Sequence, residues 1–314
     1  MMEGLIKGMK YPPRIILYGP PGVGKSTFGA DSPSPVFLAA ENGVDNIPVA
    51  QTPKLKTWQE VLTWARRLST EKHEHQTVVG DTINAMVELC AQEICTTQFG
   101  GQWAPKKGTE SFLSFAQGWK SVSEELRALL ALLDVCREKG MTILLLAHTG
   151  VVNVKNPIDG DFGKFSADID KYPWARLSAW SDIILRADYE YSVVKDQKKA
   201  RAVGTSTRWM SAAGHAAQDA KCRVGYELPD QMPLSWAAFA AELGKGSATL
   251  AEIKELWPIL TADLAAKTLA SQNVAKLEDL NITQARKLLD ALRRKHAEKA
   301  AAEQAAAPVA AGGK

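Results

Sequence analysis

Five short stretches of the chain carry almost no polar residue: "RIILYG" at 14–19, "SPVFLAA" at 34–40, "QTVVGD" at 76–81, "MTILLLAH" at 141–148 and "SDIILRAD" at 181–188. They are rich in Val, Ile and Leu without polar alternation, which predicts strands covered on both faces, as in a parallel sheet. Between them the apolar positions recur at helical spacing. "TWQEVLTWARRL" (57–68) opens with a capping box formed by Thr57 and Glu60. "TINAMVELCAQEIC" (82–95) and "SVSEELRALLALLDVCREKG" (121–140) follow, the second closing on a glycine C-cap. Strands alternating with helices in this way predict a doubly wound α/β domain.

The pattern changes after residue 188. "YEYSVVKDQKKARAVGTSTRWM" reads as antiparallel strands joined by a charged turn at the edge of the sheet. The core is expected to span 1–246, with "GKGS" as a linker. A small helical domain over 247–299 follows, then a disordered Ala-rich tail at 300–314. The composition is 46% hydrophobic and 23% charged, with a net charge of +3. A balance this even means that nucleic-acid binding must come from local patches and not from a bulk basic field. The four cysteines form no C-x-x-C pair and no zinc-site spacing. With no signal-peptide core and no membrane-length apolar stretch, a cytoplasmic protein without membrane contact is expected.

"GPPGVGKST" (19–27) satisfies G-x-x-x-x-G-K-[ST] between a predicted strand and a predicted helix. Gly19, Pro20, Pro21, Gly22, Val23, Gly24, Lys25, Ser26 and Thr27 therefore form a candidate phosphate-binding loop for ATP. The glycines let backbone N–H groups turn inward, Lys25 reaches the β- and γ-phosphates, and Ser26 offers its hydroxyl to Mg²⁺. Asp81, ending the strand "QTVVGD", is the natural second Mg²⁺ residue, holding the ion through water. An aspartate there also suits the N-cap of the helix that starts at Thr82.

The position of the water-polarising carboxylate separates the classes of such ATPases. In the AAA+ class it directly follows the strand-end aspartate, but here Thr82 follows Asp81. In the RecA class it ends the strand after the phosphate-loop helix, where "FLAAENG" (37–43) places Glu41. "AAENGVD" resembles the RecA pattern, which implies Glu41 as the catalytic base and Asp45 near the adenine. The same resemblance makes His148, ending "TILLLAH", a γ-phosphate sensor, a place more often held by Gln or Asn. "KCRVG" (221–225) resembles the K-N-R-F-G segment of RadA-type proteins, with Cys222 and Val224 departing from it. There Lys221 and Arg223 would reach the ATP of a neighbouring subunit, both pointing to one side of a strand. Together with "AKCRVGYELPDQMPLSWAAF", the ordered set resembles phage-encoded RecA-like ATPases, the ATPase branch of the Sak-type single-strand annealing proteins. It covers residues 12–243, and a phage origin would put the protein in the host cytoplasm. A strand-end acid or histidine is otherwise a solvated or plainly hydrogen-bonded residue, and two edge-strand cations are otherwise solvated charges.

RecA-like proteins bind single strands through loops at the carboxyl edge of the sheet. The matching segments are 96–112, with Phe99, Trp103, Lys106 and Lys107, and 149–174, with Lys155, Phe162, Lys164, Phe165, Lys171 and Tyr172. Both are expected to be long and irregular. Cations would pair with phosphates and aromatics stack on bases, without sequence readout. Asp159, Asp161, Asp168 and Asp170 dilute the charge of the second. The basic run "RKLLDALRRKH" (286–296) reads as the solvated face of an amphipathic helix.

The resemblance therefore implies an ATP-dependent recombinase or annealing protein that assembles with itself, as a ring or filament, on single-stranded DNA. A single-strand-binding protein is a further candidate partner, for the C-terminal helices. A helicase or helicase loader with the same core, and a non-hydrolysing nucleotide-switch adaptor, are the alternatives.

Overall fold

Every uninterrupted apolar run is a strand in the computed structural model, which describes residues 11–105, 110–196, 199–224, 228–272, 276–277 and 282–306. In chain order the elements are β1 (Arg14–Gly19), α1 (Lys25–Ala30), β2 (Pro35–Ala39), β3 (Ala50–Gln51), α2 (Trp58–Thr70), β4 (Thr77–Asp81) and α3 (Ile83–Phe99). Then come α4 (Gln117–Glu138), β5 (Thr142–Val154), β6 (Phe162–Ala167), α5 (Lys171–Trp180), β7 (Ile183–Asp196), β8 (Lys199–Ser211), β9 (Lys221–Cys222) and β10 (Met232–Pro233). Three helices follow: α6 (Trp236–Leu256), α7 (Ala262–Ser271) and α8 (Ile282–Ala306). None of the described helices is long and apolar enough to cross a membrane.

The strands lie in the order β10-β8-β7-β1-β5-β4-β2-β3, with β6 paired to β5 and β9 to β7. From β7 to β3 the pairing is parallel, and β8, β10, β6 and β9 join antiparallel. This is the expected α/β architecture: a mostly parallel sheet with antiparallel edge strands.

Burial on both faces explains the apolar runs. On one face Ile16, Tyr18, Leu38, Val78, Ile143 and Leu145 join a core with the buried sides of α2, α3 and α4. Their strand neighbours Ile15, Leu17, Phe37, Val79, Leu144 and Leu146 are equally buried on the other. There α1 lies so close that a Cβ at Gly29 would sit 3.0 Å from Val79 Cγ1 and 3.2 Å from Phe37 Cζ. The Phe28 ring packs edge-on against Trp236 and Phe239 beside it. Thr57 and Glu60 form the predicted capping box of α2. Gly140, with φ 94°, turns the chain out of α4 as expected.

The structure departs from the sequence reading in four places. The segment 149–174 is not irregular: β5 runs on to Val154 and folds back as β6, with Thr149 opposite Ala167 and Val154 opposite Phe162. The Asn156 side-chain oxygen accepts from the amides of Ile158 and Asp159 and closes the turn. The segment 96–112 is partly helical, because α3 continues to Phe99 before Gly100 ends it at φ 55°. "GKGS" lies inside α6, where the helix overrides the cost of its glycines. Residues 300–306, expected in a disordered tail, belong to α8.

Contacts divide the chain into two units, Met1–Cys222 with Pro229–Phe239, and Arg223–Leu228 with Ala240–Lys314. In the second, Ile253, Leu288, Leu289 and Leu292 form a small core, and Arg293 pairs with Glu252 at 2.7 Å. The basic run of α8 is thus a solvated face around buried leucines.

Gly29→Val tests the packing of α1. Its side chain would enter the space of Val79 and Phe37, and equilibrium urea unfolding should show a loss of about 1–3 kcal/mol. Unchanged stability would mean that α1 does not rest on the sheet as described.

Candidate active site

The loop between β1 and α1 turns on Gly22 and Gly24, both in the left-handed region at φ 75° and 107°. Lys25 is only 6% exposed, and its ammonium donates to the carbonyls of Gly19 at 2.9 Å and Pro20 at 3.0 Å. Burial pulls its pKa down, against the opposing charges of Asp81 and Glu41. The Ser26 hydroxyl donates to Asp81 Oδ2 at 2.7 Å.

Asp81 is 3% exposed. Burial raises its pKa, the hydrogen bond from Ser26 opposes this, and the negative charge of Glu41 pushes it up again. Asp81 is thus a buried acid whose charge its neighbours do not fully offset. A hydroxyl and a carboxylate on adjacent elements are hard oxygen donors suited to Mg²⁺. A Cβ at Gly43 would lie 3.4 Å from Asp81 Oδ2 and 3.6 Å from Ser26 Oγ, so the "ENG" glycine keeps the approach to that pair open. The residues present fit Mg²⁺ with a nucleotide triphosphate.

Strand order brings the remaining groups together. Gly19 is opposite His148 across β1 and β5, and Ala39 is opposite Asp81 across β2 and β4. Beyond the end of β2, the amides of Ala40 and Glu41 both donate to the Asp81 carbonyl, at 2.8 and 3.2 Å. Glu41 is thereby set beside the top of β4. Its carboxylate accepts from the Thr82 hydroxyl at 2.5 Å and lies 3.2 Å from His148 Nε2. Among the described residues His148 Nδ1 and Thr149 Oγ1 are buried without a hydrogen-bond partner.

Two contributors escaped the sequence reading. Thr82, not Asp81, is the N-cap of α3, its hydroxyl accepting from the Ala85 amide while it donates to Glu41. Asn84 is buried; it accepts from the His148 amide at 2.9 Å and donates to the Asp168 carbonyl at 2.6 Å. The N-cap preference of threonine was visible in the sequence, but its bond to a residue 41 positions away was not.

Asp45 is exposed and makes no side-chain hydrogen bond or ion pair among the described residues. The strand expected to align Lys221 with Arg223 ends at Cys222. The Lys221 ammonium donates to the Ser178 carbonyl at the end of α5, and Arg223 is an exposed residue past the strand. The strand therefore holds Lys221 without Arg223.

Four of the candidate DNA contacts, Trp103, Lys155, Lys164 and Lys171, each have a neighbour in the fold. Trp103 stacks on Phe112 with ring centroids 4.3 Å apart. Lys155 pairs with Asp161 and Lys164 with Asp219, each at 2.5 Å. Lys171 lies over the Tyr172 ring at 5.1 Å. Burial pushes the Asp219 carboxyl up, but hydrogen bonds from Lys164, Ser166 and Trp174 outweigh it and hold the pKa below the usual range. Lys164 is thus a partly exposed side chain that holds a carboxylate of the fold. Lys106 and Lys107 lie outside the described residues.

The buried charges set a test that needs no turnover. An aspartate with a raised folded pKa costs stability once pH exceeds its unfolded value near 3.9, and the cost is complete above the folded value. Asp81→Asn should therefore raise the melting temperature of the ligand-free protein at pH 7 while weakening the Mg²⁺ dependence of ATP binding. Lys25→Ala should abolish the stabilisation that Mg-ATP brings without lowering the ligand-free melting temperature. A full Mg-ATP shift in Lys25→Ala would remove the loop from the site.

Residues 11–224 match a family model described as AAA domain. Among solved structures, the RadB recombinase is 11% identical over 64% of this chain and 81% of its own, with a TM-score of 0.34. The flagellar accessory protein FlaH from Methanocaldococcus jannaschii is 9% identical over 65% of this chain and 79% of its own, with a TM-score of 0.33. Both likenesses are distant, and neither bears on what this chain does. No curated protein matches it. With the model spanning most of the chain and its phosphate loop, this protein is a member of the AAA domain family.

Proposed function

We propose that the protein is an ATPase of the RecA-like kind that works on single-stranded DNA as a recombinase or annealing protein, with ATP bound where subunits meet. The observation that carries the hydrolytic part is one edge of the sheet, where Lys25 and Ser26 open α1, Asp81 ends β4, Glu41 follows β2 and His148 lies in β5 opposite the last residue of β1. The position after Asp81 holds Thr82, and its hydroxyl fastens the acid of the other strand instead of supplying an acid itself. Glu41 is thus the group placed to take a proton from water, with Thr82 and His148 fixing its orientation. Mg²⁺, when bound at Ser26 and Asp81, would supply charge to the phosphates. Lys25 would exchange its two carbonyl partners for phosphate oxygens.

A short path supports coupling to DNA. Asn84 joins His148 to Asp168, and the Asp168 amide donates to the His148 carbonyl at 2.9 Å. The β5–β6 hairpin therefore closes at the residue that touches Glu41. That hairpin exposes Val151, Val152 and Ile158, and the segment before α4 exposes Phe115 and Leu113. Exposed apolar side chains suit contact with unstacked bases, which needs no sequence readout. Because Lys155 and Lys164 are paired to aspartates, this contact would rely less on lysine–phosphate pairs than their number in the sequence implies. In this reading Lys221 and Arg223 would serve the ATP of a neighbouring subunit, Lys221 by giving up its bond to the Ser178 carbonyl. The resemblance to the ATPase branch of Sak-type annealing proteins supports the same assignment.

Glu41→Gln should bind Mg-ATP and single-stranded DNA at near wild-type strength while turnover falls about 10²–10⁴-fold. Wild-type turnover should rise when single-stranded DNA is added, and complementary oligonucleotides should anneal faster with the protein present. Turnover indifferent to DNA, with no annealing, would sink the DNA reading; tight ATP binding without any turnover would instead make the protein a nucleotide switch.

A further inference from the structure

On the other flank of β1 from Glu41, the β7–β8 hairpin brings a second cation to the phosphate loop. Tyr189 and Arg208 are opposite one another in the antiparallel pair, so their side chains share a face of the sheet. The register breaks just beyond them, between Tyr189 and Tyr191, a bulge of the kind that re-aims side chains. Tyr189 Oη lies 3.7 Å from where a Cβ of Gly22 would stand. Arg208 Nη1 lies 2.9 Å, and Cδ 3.9 Å, from the corresponding point at Gly24.

The backbone at this point is fixed. The Leu234 amide donates to the Arg208 carbonyl at 3.2 Å, and the Trp209 indole donates to the Tyr189 carbonyl at 3.1 Å. Arg208 is an exposed residue, and its guanidinium has no carboxylate partner among the described residues. The neighbouring acid, Asp188, is taken by Arg186. A solvated surface arginine would extend away from the fold, whereas this one lies against the turn that opens the phosphate loop into α1.

We infer that Arg208 is a ligand for the phosphate chain of the bound nucleotide, supplied by the same subunit, with Tyr189 as the positioning residue that lines the loop beside it. The inference rests on the reading of the loop as an ATP site. A planar guanidinium can give two parallel hydrogen bonds to phosphate oxygens, and its charge is not cancelled by a protein acid. Lys25 would then serve the phosphates from within the loop and Arg208 from its β7–β8 side.

Calorimetric titration of Mg-ATP and Mg-ADP into wild type, Arg208→Ala, Arg208→Lys and Lys25→Ala tests this. Arg208→Ala should weaken both nucleotides by about tenfold or more, at an unchanged ligand-free melting temperature. Its affinity should fall less steeply with salt than that of wild type, and Arg208→Lys should recover part of the loss. Nucleotide affinity equal to wild type in Arg208→Ala, with Lys25→Ala inactive in binding, would overturn the inference and leave the ATP site standing. A loss accompanied by a lowered melting temperature and an unaltered salt dependence would also overturn it, showing Arg208 to be a prop for the loop. Wild type that binds neither nucleotide would remove the ATP reading on which the inference rests.

Discussion

The site depends on the Asp81 carbonyl, which accepts from two successive amides, those of Ala40 and Glu41. These bonds continue the β2–β4 pairing past the end of β2, so the chain leaves the sheet only after Glu41 has been delivered to the neighbour of Asp81. Parallel strands supply the rest. They begin at one edge and end at the other, so the loop after β1, the end of β4, the residue that follows β2 and the part of β5 opposite Gly19 share an edge, although the sequence scatters them. Without that shared direction, Lys25, Asp81, Glu41 and His148 would be four unrelated residues.

The same edge explains why the ligand-free protein carries unfavourable charges. Asp81 is nearly inaccessible and shares its surroundings with Glu41, while Lys25 is buried on carbonyls. Burying charge without full compensation lowers stability, and such costs persist where function needs them. Mg²⁺ would relieve the crowded carboxylates and phosphate would relieve the lysine, so ligand binding and fold stability are linked at this one place.

Much of this was legible in the sequence because it rests on local signals. Apolar runs without alternation mark doubly covered strands, and the glycine-rich loop and the acids closing "QTVVGD" and "FLAA" are read where strands must end. The capping box of α2 and the glycine that closes α4 are likewise local. What escaped notice depends on register. The segment after His148 holds enough Gly, Asn and Asp to read as a loop, yet pairing with 162–167 makes it a hairpin, with Lys155 facing Asp161 at its exposed turn and Lys164 reaching Asp219. Lys221 and Arg223 alternate in sequence, but the strand stops between them. Thr82 shows its capping role in the sequence, whereas its grip on Glu41 exists only because β2 and β4 are neighbours.

The central claim is that Glu41 acts in hydrolysis as a base held in place by Thr82. A double-mutant cycle in steady-state ATP turnover tests it directly, using Thr82→Val, Glu41→Gln and the pair together. If Thr82 works through Glu41, Thr82→Val lowers kcat with little change in KM, and the double variant is no slower than Glu41→Gln alone. Losses that simply multiply in the double variant would show that the two residues act independently and would contradict the account.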